Sequence, residues 1–396
     1  MPELDGRRLW FTGIGGAGMS ALAVVTRAWG AEVAGWDRVE TPYLDALAGT
    51  EISISPDPPD PPSGWESIVS TAFADRVAGH SRGELLAEVV RLRPSIVVAG
   101  AHGKTTTAAM IAFCLDRLGL DPTFLIGGPV PQLGANARAG EGWLVAEGDE
   151  SDRSLELLHP EIGVLMNVDL DHHATFASRA DVEALFERWV SGCGVAVRGA
   201  ELDPISIALA VPGEHNRRNA AAALAALELM GVARADAESA ITEFHGAGRR
   251  LELRGEAGGV MVYDDYGHHP AEIVATLGAA REVFPGRRVL VLFQPHLYSR
   301  TRHLARELAA ALAAADVVCV TEIYAAREES VPDVSGKLVV DALAQARPGL
   351  PIGWAPSLDD AAALLARQAR AGDLVLTIGA GDVDRAAGLV LERLGG

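Results

Sequence analysis

The sequence is short of cysteine, and the few cysteines it has show no functional spacing. Cys114, Cys193 and Cys319 lie far apart in apolar or glycine-rich surroundings. Structural zinc sites and redox pairs need closely spaced cysteines, so the spacing excludes both. We therefore predict three buried free thiols.

Basic residues and long apolar runs are also scarce. The 34 basic residues are outnumbered by 53 acidic ones, which gives a formal net charge of −19. This excess argues against nucleic acid as a partner, because nothing would offset repulsion from the phosphate backbone. The N-terminal stretch does not resemble a signal peptide, and no run is long enough to cross a membrane. We expect a cytoplasmic protein with no membrane partner.

Short apolar strands alternate with alanine- and leucine-rich helices along all 396 residues. This alternation predicts an α/β fold with mostly parallel sheets, and the length predicts two or three domains. Pro94 ends a helical pattern and predicts the first domain boundary. Strands are predicted at residues 8–12, 32–36, 67–71, 95–99, 143–146, 162–167, 260–263, 288–293, 317–321 and 374–378, and helices at residues 19–29, 83–93, 104–118 and 219–230.

A glycine turn follows the first strand. Gly13, Gly15 and Gly18 form a G-x-G-x-x-G pattern before a helix, and Asp37 ends the next strand. Glycines let the backbone approach a pyrophosphate, and an acidic residue at that place can accept ribose hydroxyls. The pattern predicts a dinucleotide-like ligand and, taken alone, favours NAD; a tight turn without a ligand is the alternative.

The sequence GAHGKTTT at residues 100–107 lies between a buried-type strand and a helix. Backbone N–H groups of such a loop can surround phosphates, Lys104 can reach the terminal phosphates, and Thr105 can bind Mg²⁺. Val98 occupies the place of the first glycine of the usual P-loop spacing. We nevertheless interpret the segment as an ATP site.

Acidic and polar clusters follow further strands. EGDESD at residues 147–152 offers the hard oxygen ligands that Mg²⁺ takes beside nucleotide phosphates. NVDLDHH at residues 167–173 suggests metal coordination or general-base catalysis. Similar clusters occur at residues 213–219, where Asn219 is a plausible helix N-cap, and at residues 264–270, 294–300 and 379–382. Together they predict that the third segment of the chain closes over the nucleotide.

Eight of these motifs occur in the order found in the Mur ligases, and the chain resembles that family over essentially its whole length. They are GIGGAGMSALA, GAHGKTTT, EGDESD, NVDLDHH, PGEHNRRNAAAA, GAGRR, DDYGHHP and FQPHLYSRT. DDYGHHP and QPHLYSRT are most similar to the alanine-adding members. The resemblance implies a UDP-sugar-binding Rossmann-like domain at residues 1–94. It also implies a P-loop-type central ATPase domain with a mostly parallel sheet at 95–245 and a Rossmann-like, amino-acid-binding domain at 246–396.

The resemblance also implies an activity. ATP and Mg²⁺ would convert the lactoyl carboxylate of UDP-N-acetylmuramate into an acyl phosphate, which the amine of L-alanine would attack. The product would serve peptidoglycan synthesis and hence cell-wall biogenesis, cell shape and cell division. The expected partners are these two small substrates, and the expected state is a monomer or a weak homodimer.

Matching the family's motifs assigns roles residue by residue. Nucleotide contacts are implied for Gly100, His102, Gly103, Lys104, Thr105, Thr106, His215, Asn216, Asn219, Arg250 and Asp265, and metal contacts for Thr105, Glu147 and His172. Catalytic roles are implied for Lys104, His172, His269, His296 and Arg300. UDP-sugar contacts are implied for Gly13, Gly15, Gly16, Gly18, Met19, Ser20, Asp37, Ser70, Thr71 and Asn136.

Two departures from the family pattern bear on these roles, and other functions stay open. Ala174 stands where an aspartate is common, and Leu297 replaces a frequent arginine of the carboxylate site. One alternative is a ligase that recycles a whole tripeptide onto UDP-N-acetylmuramate. An NAD-dependent oxidoreductase and a degenerate nucleotide-binding regulator are the others.

Overall fold

The computed structural model describes residues 3–171, 175–326 and 328–395. Within them the chain forms three β-sheets and eleven α-helices, which confirms the predicted α/β class. The predicted metal ligand His172 and the substituted position Ala174 lie outside the described residues.

The strands are β1 (Arg8–Thr12), β2 (Glu32–Asp37), β3 (Glu51–Ile54), β4 (Glu66–Val69), β5 (His80–Ser81), β6 (Ser95–Ala99), β7 (Thr123–Val130), β8 (Ala135–Arg138), β9 (Leu144–Glu147), β10 (Ile162–Leu165), β11 (Val195–Arg198), β12 (Glu252–Ala257), β13 (Val260–Asp265), β14 (Val289–Phe293), β15 (Val317–Val320), β16 (Ile352–Trp354) and β17 (Leu374–Ile378). The helices are α1 (Ala17–Ala28), α2 (Arg82–Arg91), α3 (Lys104–Arg117), α4 (Arg179–Ser191), α5 (Glu214–Leu229), α6 (Arg234–Thr242), α7 (Pro270–Val283), α8 (Tyr298–Leu312), α9 (Lys337–Ala346), α10 (Leu358–Gln368) and α11 (Asp384–Gly395).

The first sheet has the order β3-β2-β1-β4-β5, and all of its pairings are parallel. The second has the order β11-β10-β6-β9-β7-β8, and the third the order β12-β13-β17-β14-β15-β16. In these two sheets β7 pairs with β8, and β12 with β13, in antiparallel fashion, whereas the other pairs are parallel. Since ligands bind outside the carboxyl ends of parallel strands, this topology predicts where the loops that carry function meet.

The chain divides into two compact units. The first comprises residues up to 170 together with 175–211 and 216–247, and it holds the first and second sheets. The second comprises residues 248–396 together with Asp171 and the segment Pro212–His215, and it holds the third sheet.

The burial of β6 on both faces explains why the predicted strands appear in the sequence as continuous apolar runs. All five of its residues are buried, and they alternate between two hydrophobic clusters. Val97 and Ala99 face one cluster, whereas Ile96 and Val98 face the other, which includes the buried side of α3. A parallel strand covered on both faces has no polar side, and this favours a continuous apolar sequence.

Three predicted boundaries were wrong. The strand predicted at 67–71 ends at Val69, and a 3₁₀ turn begins at Thr71, so Ser70 and Thr71 lie just beyond the strand. The strand predicted at 162–167 ends at Leu165, which leaves Asn167 in the following loop. The helix predicted to start near Asn219 starts at Glu214, so Asn219 is an interior helix residue and not an N-cap.

The three thiols are expected to resist alkylation in the folded protein. Burial raises the pKa of Cys114 and of Cys319 to about 12, and that of the partly buried Cys193 to about 11. Because the thiolate is the reacting form, iodoacetamide at neutral pH should modify none of them within minutes, whereas denaturant should expose all three. Intact mass spectrometry checks this, and rapid native labelling of Cys114 would contradict its burial.

Among the described residues, no helix combines the length and the apolar character that crossing a membrane requires.

Candidate functional site

The phosphate loop lies at the carboxyl end of β6, the strand between β10 and β9 in the second sheet. Gly100 and Gly103 have φ values of 128° and 87°, a region that favours glycine. A Cβ at Gly103 would lie 2.5 Å from Oδ1 of Asn219, and one at Gly100 would lie 2.9 Å from the backbone of Asn167. Both glycines are therefore required for the loop to pass its neighbours before α3 begins at Lys104.

Asn167 holds this loop in shape. Its Oδ1 accepts a hydrogen bond from the backbone N of His102 at 2.8 Å, and its Nδ2 donates to the His102 carbonyl at 2.9 Å. Its own carbonyl accepts from the backbone N of Ala101 at 3.2 Å. The sequence interpretation placed Asn167 in a motif but gave it no role; its position at the end of the strand next to the loop was the available signal.

Lys104 lies over the loop. Its Nζ donates to the carbonyl of Gly100 at 2.5 Å and lies 3.1 Å and 3.2 Å from the two carboxylate oxygens of Glu150. Burial opposes the charged form of Lys104, but Glu150 and Asp149 outweigh this effect and raise its pKa. The chain has only one other lysine, Lys337, so Lys104 supplies the ammonium group of this loop.

Thr105 and Glu147 form a pair of oxygen ligands beside the loop. Thr105 donates from its hydroxyl to Oε2 of Glu147 at 2.9 Å, and the other carboxylate oxygen accepts from the backbone N of Gly127 at 2.5 Å. A hydroxyl and a carboxylate at this spacing are hard oxygen donors, which is the set that Mg²⁺ takes at nucleotide phosphates. The residues present therefore fit the predicted metal.

Arg82 joins the acidic segment to the glycine turn, and the sequence interpretation missed it. Its Nη2 lies 3.6 Å from Asp149 and 4.0 Å from Asp152, and its side chain lies 3.4 Å from where a Cβ of Gly18 would be. Burial would raise the pKa of Asp149, but Arg82 and Lys104 outweigh it and hold that pKa below its usual value. Thr71 donates to Asp152 at 2.9 Å, so one predicted substrate residue lies in this cluster.

The glycine turn lies at the carboxyl end of β1, between the ends of β2 and β4. Asp37, predicted to bind a ligand, accepts from the backbone N of Gly15 at 2.7 Å and from that of Arg38 at 2.7 Å, and it is buried. Its carboxylate therefore holds the turn itself. A Cβ at Gly13 would meet Ser70 at 2.9 Å, which places Ser70 against the turn.

The other residues predicted to contact the UDP-sugar differ in burial and in their hydrogen bonds. Gly16 precedes α1 as its N-cap, while the side chains of Met19 and Ser20 are buried within α1. Asn136, from β8, donates to the carbonyl of Ala17 at 3.2 Å. The second sheet thus contributes a side chain to the start of α1.

Three of the predicted nucleotide contacts, His215, Asn216 and Asn219, lie in the first turns of α5. Asn219 is buried, donates to Oδ1 of Asn216 at 3.3 Å and packs against Gly103. This contact joins α5 directly to the phosphate loop. His215 falls in the other unit and packs against Gly213, and Thr106 is buried in the first turn of α3.

In the second unit, Asp265 and the neighbouring arginines organise the chain after the linker. Asp265 accepts from the backbone N of Gly267 at 2.8 Å, from that of Leu251 at 2.8 Å and from the hydroxyl of Thr276 at 2.9 Å. Burial raises its pKa, and Arg250 opposes that effect. These bonds use both oxygens of Asp265, so in this structure it anchors its own backbone.

The predicted histidines of the second unit take different positions. His269 is the buried N-cap of α7, where its Nδ1 accepts from the backbone N of Ala271 at 3.4 Å. His296 and Arg300 are in contact, with Nη1 of Arg300 2.9 Å from Nδ1 of His296. Nε of Arg300, a buried side chain, donates to Asp171 at 2.7 Å. Part of the hydrogen-bonding capacity of Arg300 is thus used by Asp171, a carboxylate of the chain itself.

Leu297, which stands where an arginine is frequent in the family, has an unusual backbone. Its φ of 68° and ψ of 136° lie in a region that L-residues rarely adopt, and it immediately precedes α8. Its backbone N donates to the Tyr324 carbonyl at 3.0 Å. Leu297 thus leads directly into the helix that carries Arg300.

Comparisons with known proteins show which family the chain resembles. Residues 98–197 match the Mur ligase middle domain, and residues 249–381 match the Mur ligase, glutamate ligase domain. The chain is 39% identical to a UDP-N-acetylmuramate–L-alanine ligase of Streptomyces coelicolor, with 97% of each chain covered. It is also 39% identical to the ligase of that name from Kineococcus radiotolerans, covering 98% of this chain and 96% of that protein.

A solved structure shows the same relationship. The UDP-N-acetylmuramate–alanine ligase of Thermotoga maritima superimposes with a TM-score of 0.79 at 27% identity, with 98% of each chain covered. A glycine-shaped phosphate loop, carboxylates on the adjoining strand and near-complete coverage by curated relatives lead to one conclusion. The chain belongs to the Mur ligase family.

Proposed function

We propose that the chain is an ATP-dependent ligase that joins L-alanine to the lactoyl carboxylate of UDP-N-acetylmuramate in peptidoglycan precursor synthesis. One observation supports this most: Lys104 and Thr105 of the phosphate loop lie against Glu150 and Glu147 of the neighbouring strand end. A cation for terminal phosphates and oxygen ligands for a metal are thereby held together. The names of the relatives support the choice of the two substrates.

The chemistry needs a leaving group on the carboxylate. A carboxylate does not acylate an amine at neutral pH, so the γ-phosphoryl group of ATP would be transferred to it, giving an acyl phosphate and ADP. Lys104 would neutralise charge on the transferring group, and the backbone N–H groups of the phosphate loop would hold the phosphates in line. Mg²⁺, held by Thr105, Glu147 and His172, would offset the remaining negative charge.

The roles implied for the other residues stand as part of the proposal. His102, Thr106, Asn216, Asn219 and Arg250 would contact the nucleotide, and His215 the adenine side. The glycine turn, Ser70 and Thr71 would bind the UDP moiety, with Arg82 as an added cation for its phosphates. His296 and Arg300 would face the reacting carboxylate and the amino acid.

We also propose three domains, at residues 1–94, 95–245 and 246–396. Each of them contains one of the three sheets, and predicted site residues follow the carboxyl ends of strands in each sheet. We further propose cytoplasmic action, where ATP and UDP-sugars are available, by a monomer or weak homodimer.

An acceptor screen tests the function. Purified protein with ATP, Mg²⁺ and UDP-N-acetylmuramate should release phosphate fastest with L-alanine, and more slowly with glycine, L-serine or the L-alanyl-γ-D-glutamyl-meso-diaminopimelate tripeptide. A preference for the tripeptide would identify a recycling ligase. Binding of both nucleotides without phosphate release from any acceptor would identify a regulator.

A further inference from the structure

Two imidazoles lie side by side in the second unit, those of His268 and His296, with ring centroids 5.7 Å apart. The sequence assigned a role to His296 and to His269, but none to His268. The hydrogen bonds of the two rings place their protons on opposite nitrogens.

His296 carries its proton on Nε2. A guanidinium group has only donors, so the 2.9 Å contact from Nη1 of Arg300 makes Nδ1 of His296 the acceptor. A second proton would have to displace Arg300 and would set two cations side by side. Arg300 is held in place because its Nε donates to Asp171 at 2.7 Å. The ring of His296 is stacked on that of Tyr324, with ring centroids 5.9 Å apart, and this arrangement leaves Nε2–H as its hydrogen-bond donor.

His268 has the opposite arrangement. Its Nδ1 lies 3.1 Å from the carbonyl oxygen of Tyr266, and a carbonyl can only accept, so Nδ1 carries the proton of the neutral ring. The lone pair is then on Nε2. Orienting an imidazole through an Nδ1–H bond to a carbonyl is the usual way to present Nε2 for proton transfer.

Two carboxylates lie close to the ring of His268. Oδ2 of Asp171 lies 3.8 Å from Nε2, beyond direct hydrogen-bond distance, and Oε2 of Glu272 lies 3.5 Å from Nδ1. The ring of Tyr266 packs edge-on against that of His268, with ring centroids 5.6 Å apart. The guanidinium carbon of Arg250 lies 5.4 Å from the centroid of the Tyr266 ring. Each ring nitrogen of His268 therefore faces a carboxylate oxygen.

We propose that His268 is the base that accepts a proton from the acceptor's ammonium group, while His296 donates a hydrogen bond that positions the reactants. This rests on the proposed ligase function. The ammonium loses one proton to Nε2 of His268, and the freed nitrogen lone pair forms the C–N bond. The C–O bond to phosphate breaks with its electron pair leaving on phosphate, and the departing phosphate takes the second proton that the nitrogen loses as it becomes the amide N–H. The imidazolium then returns its proton to solvent.

The same substitution at both histidines separates these roles. Glutamine can donate and accept hydrogen bonds but cannot take a proton, so it imitates a neutral imidazole. His296→Gln should retain turnover with L-alanine within about tenfold, whereas His268→Gln should lose about 10²–10⁴-fold, the usual contribution of a general base. His303→Gln, an exposed position on α8, is the matched control and should match the parent protein. Equal losses at 268 and 296, or the larger loss at 296, would overturn the proposal.

A second acceptor distinguishes failure of the inference from failure of the proposed function. Hydroxylamine is largely unprotonated at neutral pH, so it can attack an acyl phosphate without a base. His268→Gln should therefore form the hydroxamate of UDP-N-acetylmuramate at nearly the parent rate while its L-alanine reaction is lost. Loss of both reactions with nucleotide binding retained would contradict the role of His268. A parent protein that forms neither product would refute the ligase function itself.

Discussion

Replacing Lys104 with alanine is expected to abolish phosphate release while leaving UDP-N-acetylmuramate binding nearly unchanged. Lys104 is the cation of the phosphate loop, and the described contacts of its Nζ are with Gly100, Ala101 and Glu150, not with the glycine turn. Removing one preorganised charge from a transferring group typically lowers the rate by about 10²–10³-fold. Turnover is measured by phosphate release, and binding by calorimetry with the UDP-sugar alone.

The same change should also reduce stability, because it leaves a buried carboxylate without its cation. Glu150 is 3% exposed and has Lys104 within 3.2 Å of both oxygens. Breaking such a pair on one side costs about 3–5 kcal/mol. The double variant Lys104→Ala/Glu150→Gln removes both charges, so it should recover most of the stability and none of the turnover. Hydrogen exchange of β6 and α3 measures the stability.

Two outcomes would count against this account of Lys104. An equal loss of UDP-sugar binding in the double variant would contradict the separation of the two ligand sites. Recovery of turnover in the double variant would show that Glu150, and not the missing ammonium group, limits the single variant.

The sequence predicted the central strands except β7, and it missed the strands at the sheet edges. Strands such as β6 and β17 lie inside their sheets and are buried throughout, so their apolar runs are evident. β3 (EISI), β5 (HS) and β12 (ELRGEA) lie at or near sheet edges, carry exposed residues and were missed. Edge strands are defined by their pairing with a neighbour, which a single sequence window does not contain.

The start of α5 was predicted wrongly for a related reason. The first turn of α5, from Glu214 to Arg218, is polar, so hydrophobic periodicity begins only at Asn219. The start of α5 is explained by tertiary packing instead. Asn219 lies against Gly103, and Gly213, with its φ of 99°, ends the loop before the helix. Neither contact is visible in local sequence.

The loops of the candidate site could be predicted, but the partners of individual side chains could not. Glycines and carboxylates indicated the loops at the carboxyl ends of the strands in all three sheets. Thr105 and Glu147, both predicted to bind the metal, lie within hydrogen-bond distance of each other. Asp37 and Asp265 were predicted to contact ligands, and in the structure each accepts hydrogen bonds from backbone N–H groups of the chain itself. A carboxylate at a turn serves either purpose, and only the three-dimensional arrangement of donors decides between them.

Replacing Arg249 with methionine is expected to destabilise the second unit strongly. Nε of Arg249 donates to Oδ2 of Asp264 at 2.8 Å, and its other nitrogens donate to the carbonyls of Gly381 at 3.0 Å and Gly379 at 2.8 Å. Asp264 is completely buried, so methionine would keep the bulk of the side chain but leave an uncompensated charge. The expected cost is about 3–5 kcal/mol. Arg254→Met removes a more exposed arginine near Glu252 and should change stability by no more than about 0.5 kcal/mol.

The stability lost in Arg249→Met should depend on pH. Burial raises the pKa of Asp264 even though Arg249 and Thr377 oppose the shift, and removing Arg249 would raise it further. A carboxyl group whose pKa is higher in the folded state than in the unfolded state loses stability as pH rises from its unfolded value, 3.8, through its folded one. The deficit of Arg249→Met should therefore be largest at neutral pH and shrink as pH falls toward the unfolded value of 3.8. Hydrogen exchange of β13 and β17 at both pH values measures it, and a deficit independent of pH would show that Asp264 is compensated by groups other than Arg249.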